Sequence, residues 1–194
     1  MVISDHNYKT TSKYSERKTT KAIVLHCSAT QEGKDYTVSD IDKWHKARKF
    51  ACIGYHYVVY RNGEIHRGRP ENVQGAHCVK MNGSSIGVCY IGGTDKDGKA
   101  KDTRTPDQRQ ALFELVEYLI TKYSLTIQDV HCHNEYDPKA CPSFKIEAFR
   151  EEYINWFQDK MKMNTDDQKA KELKDKNSKV PEVYFKKDCQ VKDW

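Results

Sequence analysis

No run of apolar residues in this chain approaches the ~18–20 that a bilayer-spanning helix needs, which excludes a helical membrane anchor. The first twenty residues also lack the apolar core of a secretory leader, so synthesis in the cytoplasm without an export signal is expected. Paired cysteine spacings are missing too. The seven cysteines (27, 52, 78, 89, 132, 141 and 189) are odd in number and scattered. That argues against a disulfide framework and for a reducing compartment, where a thiol in an apolar run behaves as a small hydrophobe. Apolar residues are themselves scarce, 37% of 194, too few for a core that fills the whole length. One core domain with polar tails is the expectation. There are no internal repeats. The charge balance is 33 basic against 28 acidic residues, a formal +5. It suits an anionic partner such as a cell-wall polymer or nucleic acid and demands neither.

What is present reads as alternating elements. Residues 1–20 are polar and without period, an N-terminal arm. Ala22-Ile23-Val24-Leu25-His26-Cys27 is an apolar, β-branched run, the pattern of a strand buried on both faces. It carries a histidine to the rim of the core. Residues 37–49 read as a helix capped by Ser39, with Ile41, Trp44 and Arg48 on one face. Two aromatic and β-branched runs, 54–60 and 65–67, flank Asn62-Gly63, a strong hairpin signal. Gly54 permits close backbone approach just before Tyr55. Residues 86–91 form another core strand. Thr105-Pro106-Asp107-Gln108 opens a helix with proline at its first position and a capping box. Leu112, Leu115, Val116, Leu119, Ile120 and Tyr123 then recur at helical spacing and face the core. Residues 125–130 supply one more strand, and Ser143 caps a last helix that buries Ile146, Phe149, Tyr153 and Phe157. Beyond residue 160 charge dominates, as in a linker or fraying helix, until 180–185 recovers apolar character. The order gives an α/β fold, a central mixed β-sheet flanked by helices. The single domain spans residues 21–160, between the arm 1–20 and a charged linker and C-terminal tail, 161–194.

The densest chemistry lies in His131-Cys132-His133-Asn134-Glu135-Tyr136-Asp137-Pro138-Lys139-Ala140-Cys141-Pro142-Ser143-Phe144. Imidazole and thiolate are donors that zinc prefers, at about 2.0–2.3 Å per bond. Pro138 and Pro142 each fix φ and remove an amide donor, so the segment is an irregular loop of defined shape. The density of ligand-type residues favours a metal over a plain surface loop with a buried cysteine. His131 and His133 are two apart, so on an extended backbone both rings point the same way.

Five motifs occur in order: His26-Cys27-Ser28-Ala29-Thr30, Gly54-Tyr55-His56-Tyr57, Gly75-Ala76-His77, Ser85-Ile86-Gly87 and Lys139-Ala140-Cys141-Pro142-Ser143-Phe144. Together, over residues 20–158, they resemble the zinc-dependent N-acetylmuramoyl-L-alanine amidases. That family includes amidase-type bacteriophage lysozymes and peptidoglycan recognition proteins. The resemblance implies a Zn2+ held by His26, His133 and Cys141, with water as the fourth ligand. His131 is the rival for the middle position, but the family's histidine stands eight residues before the cysteine, and 141 − 133 = 8. Two neutral imidazoles and a thiolate leave zinc a formal charge of about +1, still a Lewis acid in an open site. Such an ion lowers the pKa of its water toward ~7 and turns it on an amide carbonyl. Tyr55 and Lys139 are implied as donors to the resulting oxyanion. His77 and Asn82 are candidate substrate contacts, while His45, His56 and His66 read as structural.

The implied activity is a peptidoglycan hydrolase of endolysin type, cutting the amide between N-acetylmuramic acid and L-alanine. It is expected to be a monomer that waits in the cytoplasm until lysis and then acts on the cell wall, with no membrane or nucleic-acid partner. One rival is a non-catalytic peptidoglycan-binding module. That branch of the family replaces the metal cysteine, typically by serine, and Cys141 speaks against it. The other rival is a regulatory protein that binds a polymerase, which no motif here requires.

Overall fold

The run 22–27 forms a strand, β2 (Ala22–Cys27), with all six residues buried. It lies between β6 (Ser85–Tyr90) and β8 (Val130–Cys132), parallel to both. The structure, a computed structural model, describes residues 1–5 and 15–177. Its main sheet is completed by β1 (Ile3–Ser4), β4 (Tyr57–Val59) and β5 (Ile65–Arg67), in the order β1-β5-β4-β6-β2-β8. Only β4 and β5 run antiparallel, joined by the Asn62-Gly63 turn with Gly63 at φ 83°. A two-stranded sheet pairs β3 (Thr30–Gln31) with β7 (Gly93–Thr94). A strand buried on both faces within parallel neighbours needs an apolar run without alternation, and Ala22-Ile23-Val24-Leu25 is one.

The first helix, α1 (Val38–Ala47), is capped by Thr37 where Ser39 was expected. Asp40 decides this: its backbone N–H donates to the Thr37 hydroxyl, and its carboxylate accepts from the Thr37 N–H at 2.9 Å. That reciprocal pair fixes the cap three residues before the acid. Ile41 is buried but Trp44 is 39% exposed, so the expected face is only partly covered. In α2 (Pro106–Tyr123) the Thr105–Gln108 capping box and the buried Leu112, Leu115, Val116 and Leu119 match the sequence pattern.

The strand expected at 125–130 begins only at Val130. The Asp129 carboxylate accepts from both the N–H and the hydroxyl of Thr126, at 2.8 Å each, and winds Ile127–Asp129 into a 3-10 turn instead. Ser143 stands outside the last helix, α3 (Ile146–Asn177), with its hydroxyl donating to Gly93 O at 2.7 Å. Phe149 of α3 packs on Phe113 and Phe144. The charged stretch after residue 160 continues as helix through Asn177, rich in Lys, a residue that favours it. The arm contributes β1 to the sheet. Residues 6–14 and the apolar segment 180–185 lie outside the described residues.

By its internal contacts the chain divides into a compact unit, Met1–Glu151, and a second beginning at Glu152. No helix among the described residues is long and apolar enough to cross a membrane.

Candidate metal centre

The parallel register of β2 with β6 and β8 sets the C-terminal ends of these strands side by side, with His26 opposite Cys89 and Leu25 opposite Cys132. His26 therefore stands one residue from the end of a core strand, beside the point where the chain leaves β8 as His133. At Cys132 the backbone turns from strand into a 3-10 turn, His133–Glu135. That change of direction separates the two candidate histidines. His131 pairs with Glu135, Nδ1 to Oε2 3.1 Å, while the ring of His133 comes to 4.5 Å, centroid to centroid, from that of His26.

Cys141 completes a triangle. His26 Nδ1 lies 3.7 Å from Cys141 Sγ, and one donor atom from each of His26, His133 and Cys141 lies within 4.8 Å of the others. Tetrahedral bonds of ordinary Zn–N and Zn–S length would put a nitrogen and a sulfur roughly 3.6 Å apart, so this donor set fits a first-row divalent metal. Each imidazole is held at its other nitrogen. His26 Nε2 lies 3.0 Å from His77 Nδ1, and His133 Nε2 lies 2.9 Å from Asp137 Oδ2. Both arrangements present Nδ1 to the triangle and match the outer-shell support that metal-binding histidines need.

Burial, then the electrostatic cost of a charge beside the His77 and His133 rings and Lys139, holds His26 well below the usual imidazole range. Burial likewise lowers His133. Both are therefore neutral near pH 7, the form that donates to a metal. The backbone N–H of Cys27 points at Cys141 Sγ from 3.3 Å. The two thiols share one ionisation. Their mutual hydrogen bond draws Cys27 down to about 7 and pushes Cys141 up. A divalent cation beside Cys141 would reverse that order, because a coordinating thiol loses its proton outright.

Around this triangle lies a cleft of about 470 Å3, lined by Trp44, Arg48 and Phe50 on one side and by Val79, Asn82 and Lys139 on others. Tyr55 lines it too, with its ring 5.1 Å from that of His26. Burial, followed by the nearby cysteine sulfurs, pushes the Tyr55 hydroxyl well above the usual phenol range, so it remains an O–H donor. Lys139 is exposed at the rim, its Nζ 3.5 Å from Asp137 Oδ2. His77 is buried and lines the cleft, with its Nδ1 3.0 Å from His26 Nε2. A Cβ at Gly75 or Gly87 would lie 2.3 or 2.5 Å from the His77 ring, so both glycines make room for it. Asn82 lines the cleft while its Oδ1 accepts from the backbone N–H of His77 and Cys78, at 2.8 and 2.9 Å. His45 accepts from Gly54 N–H at 2.8 Å and so steadies the entry to Tyr55. Asp137 was not singled out by sequence. Its only signal is the spacing i, i+4 from His133, which in a turn places side chains together.

The chain is similar to known proteins. Residues 16–144 match the family model described as N-acetylmuramoyl-L-alanine amidase. The chain is 39% identical to the endolysin of Escherichia phage T7 over 139 residues, covering 72% of this chain and 91% of that one. It is 36% identical to the endolysin of Klebsiella phage KP32, again over 72% and 91%. The solved N-acetylmuramoyl-L-alanine amidase LysC from Clostridium intestinale URNW superposes with a TM-score of 0.68 at 30% identity, covering 78% of this chain and 97% of that one. Drosophila peptidoglycan recognition protein SD, at 19% identity and a TM-score of 0.63 over 73% and 88%, shares the fold.

Proposed function

Because the chain belongs to the N-acetylmuramoyl-L-alanine amidase family and is a peptidoglycan hydrolase, we propose that His26, His133 and Cys141 hold a Zn2+ that serves this cleavage. The single observation that carries the metal reading is the convergence of those three donors within 4.8 Å, from two segments far apart in the chain. When bound, the ion supplies a Lewis acid that brings the pKa of water toward ~7. The rest falls to the chain's own groups. Burial keeps His26 and His133 unprotonated, and the Cys27 N–H steadies the Cys141 sulfur. The Tyr55 hydroxyl and the Lys139 ammonium donate to the oxygen that gains charge as the amide is attacked, a role whose loss costs about 10²–10³ in rate per donor. His77 and Asn82, which both line the cleft, stand as substrate-side candidates.

The bond cut is the amide between N-acetylmuramic acid and L-alanine. We take the protein to be a monomer that stays in the cytoplasm until lysis; similarity to phage endolysins supports its then working on the cell wall. The test is release of new L-alanine amino termini from purified peptidoglycan, alongside metal content. Chelation should abolish release, and Zn2+ should restore it. Full-rate cleavage by protein verified to be metal-free would refute the metal reading. Binding to peptidoglycan without cleavage by the zinc-loaded protein would favour the binding-module alternative.

A further inference from the structure

We propose that Asp137 is a positioning residue for two groups at once, orienting the ring of His133 and tethering the ammonium of Lys139 beside it. The inference rests on the metal reading above and adds to it a shared support for one ligand and one oxyanion donor. A single oxygen makes both contacts: Asp137 Oδ2 lies 2.9 Å from His133 Nε2 and 3.5 Å from Lys139 Nζ.

The backbone prepares both. The N–H groups of Tyr136 and Asp137 donate to His133 O, at 3.0 and 3.2 Å, so Asp137 sits one turn past His133 and over its ring. The Lys139 N–H then donates to Asp137 O at 2.7 Å, across Pro138, whose ring fixes φ. That tight turn returns the Lys139 side chain toward the carboxylate that precedes it.

The consequences differ for the two partners. A carboxylate at Nε2 holds the ring proton there, leaves Nδ1 as the lone-pair donor, and makes that nitrogen more basic. His26 receives different treatment, because its partner is another imidazole, that of His77, and not a carboxylate. The two histidine ligands are thus unequally supported, and the charged support belongs to His133. For Lys139, which is 60% exposed and flexible, the same carboxylate confines a long side chain to the mouth of the cleft. Without it the ammonium would spread over many rotamers.

The test uses the full chain, with Zn2+ affinity read by competition against a chromophoric chelator and kcat and KM read on purified muropeptide at saturating Zn2+. Asp137→Ala should weaken Zn2+ binding about 10–100-fold, with or without Lys139. It should also lower kcat while KM stays within about twofold. In a Lys139→Ala background that kcat loss should shrink to under about threefold, because part of it acts through the lysine. Asp137→Asn keeps an oxygen for His133 and loses the charge that holds Lys139. It should recover most of the metal affinity and little of kcat. Metal affinity unchanged by Asp137→Ala, or kcat losses that simply multiply in the double variant, would overturn the proposal. A His133→Ala protein that binds Zn2+ as tightly as the unaltered chain would overturn the metal reading and this proposal with it. Loss of affinity in His133→Ala with none in Asp137→Ala would overturn this proposal alone.

Discussion

His26 Nδ1 and Cys141 Sγ, 115 positions apart in the chain, stand 3.7 Å from each other. Their approach is built from two independent constraints. The parallel register of β2 fixes His26, and the Cys27 N–H holds the Cys141 sulfur from the adjacent residue of the same strand. Cys141→Ser tests the pair cleanly, since a hydroxyl can still accept from Cys27 but is a poor zinc donor. Zn2+ affinity should fall by more than the ~10–100-fold that a lost supporting contact costs. Amidase activity should fall with it, as equilibrium dialysis and muropeptide release would show. A serine variant that kept both would mean that the sulfur is not a ligand.

Tyr55→Phe removes only the hydroxyl and leaves the ring beside His26. Zinc content should be unchanged, while kcat drops by about 10²–10³. Lys139→Ala should do the same in direction, and less in size, since water can enter where an exposed side chain is lost. Metal analysis beside steady-state kinetics separates these variants from ligand losses. A Tyr55→Phe enzyme at full speed would remove the hydroxyl from the mechanism.

Gly54 carries a steric demand that the sequence already hinted at. A Cβ there would lie 2.1 Å from Ala76 O and 3.3 Å from His45 Nδ1. Its backbone also exchanges hydrogen bonds with His45 and Ala76, at 2.8 and 3.1 Å. Gly54→Ala must push apart the segments that present Tyr55 and His77, at a cost of about 1–3 kcal/mol by the measure of overpacked cores. Urea unfolding would show it as a lower midpoint with an unaltered slope, and activity should fall further than stability. An alanine variant as stable and active as the unaltered chain would show that the two loops can separate freely.

The sequence was most readable where one local signal dominates. Unbroken apolar residues gave β2 and placed His26 near its end; Asn62-Gly63 gave the hairpin; Thr105 with Gln108 gave the start of α2. It was less readable where a side chain competes for the backbone. Thr126 and Asp129 close a turn that the apolar pattern of 125–130 would have made a strand. Thr37 and Asp40 claim the α1 cap from Ser39. At the site, the three donors of the resemblance do converge. The parting of His131 from His133 depends on a turn beginning at Cys132, and no period in the sequence marks it. The pairing of Ile3–Ser4 with β5 joins a two-residue strand to a partner about sixty positions away, and so was invisible to pattern alone.

Away from the cleft, Glu71 binds β4, β5 and the end of α2 together, and its chemistry sets an acid limit on the fold. It accepts from the hydroxyls of Tyr57 and Tyr123, from Arg67 at 2.8 Å and from Lys122 at 3.0 Å. Burial alone would raise its pKa, but the four donors outweigh burial and hold the carboxyl at about 2, below its ordinary 4.5. A carboxylate with a depressed folded-state value stabilises fully above its unfolded value and progressively less as pH falls through the folded one. The Glu71 contribution should therefore be complete above pH 4.5 and fade as the pH falls toward 2. Its size is on the order of 2–3 kcal/mol. Glu71→Gln should lose that much at pH 7 and show a flatter decline in acid, measured by urea unfolding at several pH values. Parallel pH curves for the two proteins would mean that the cluster is not what fails in acid.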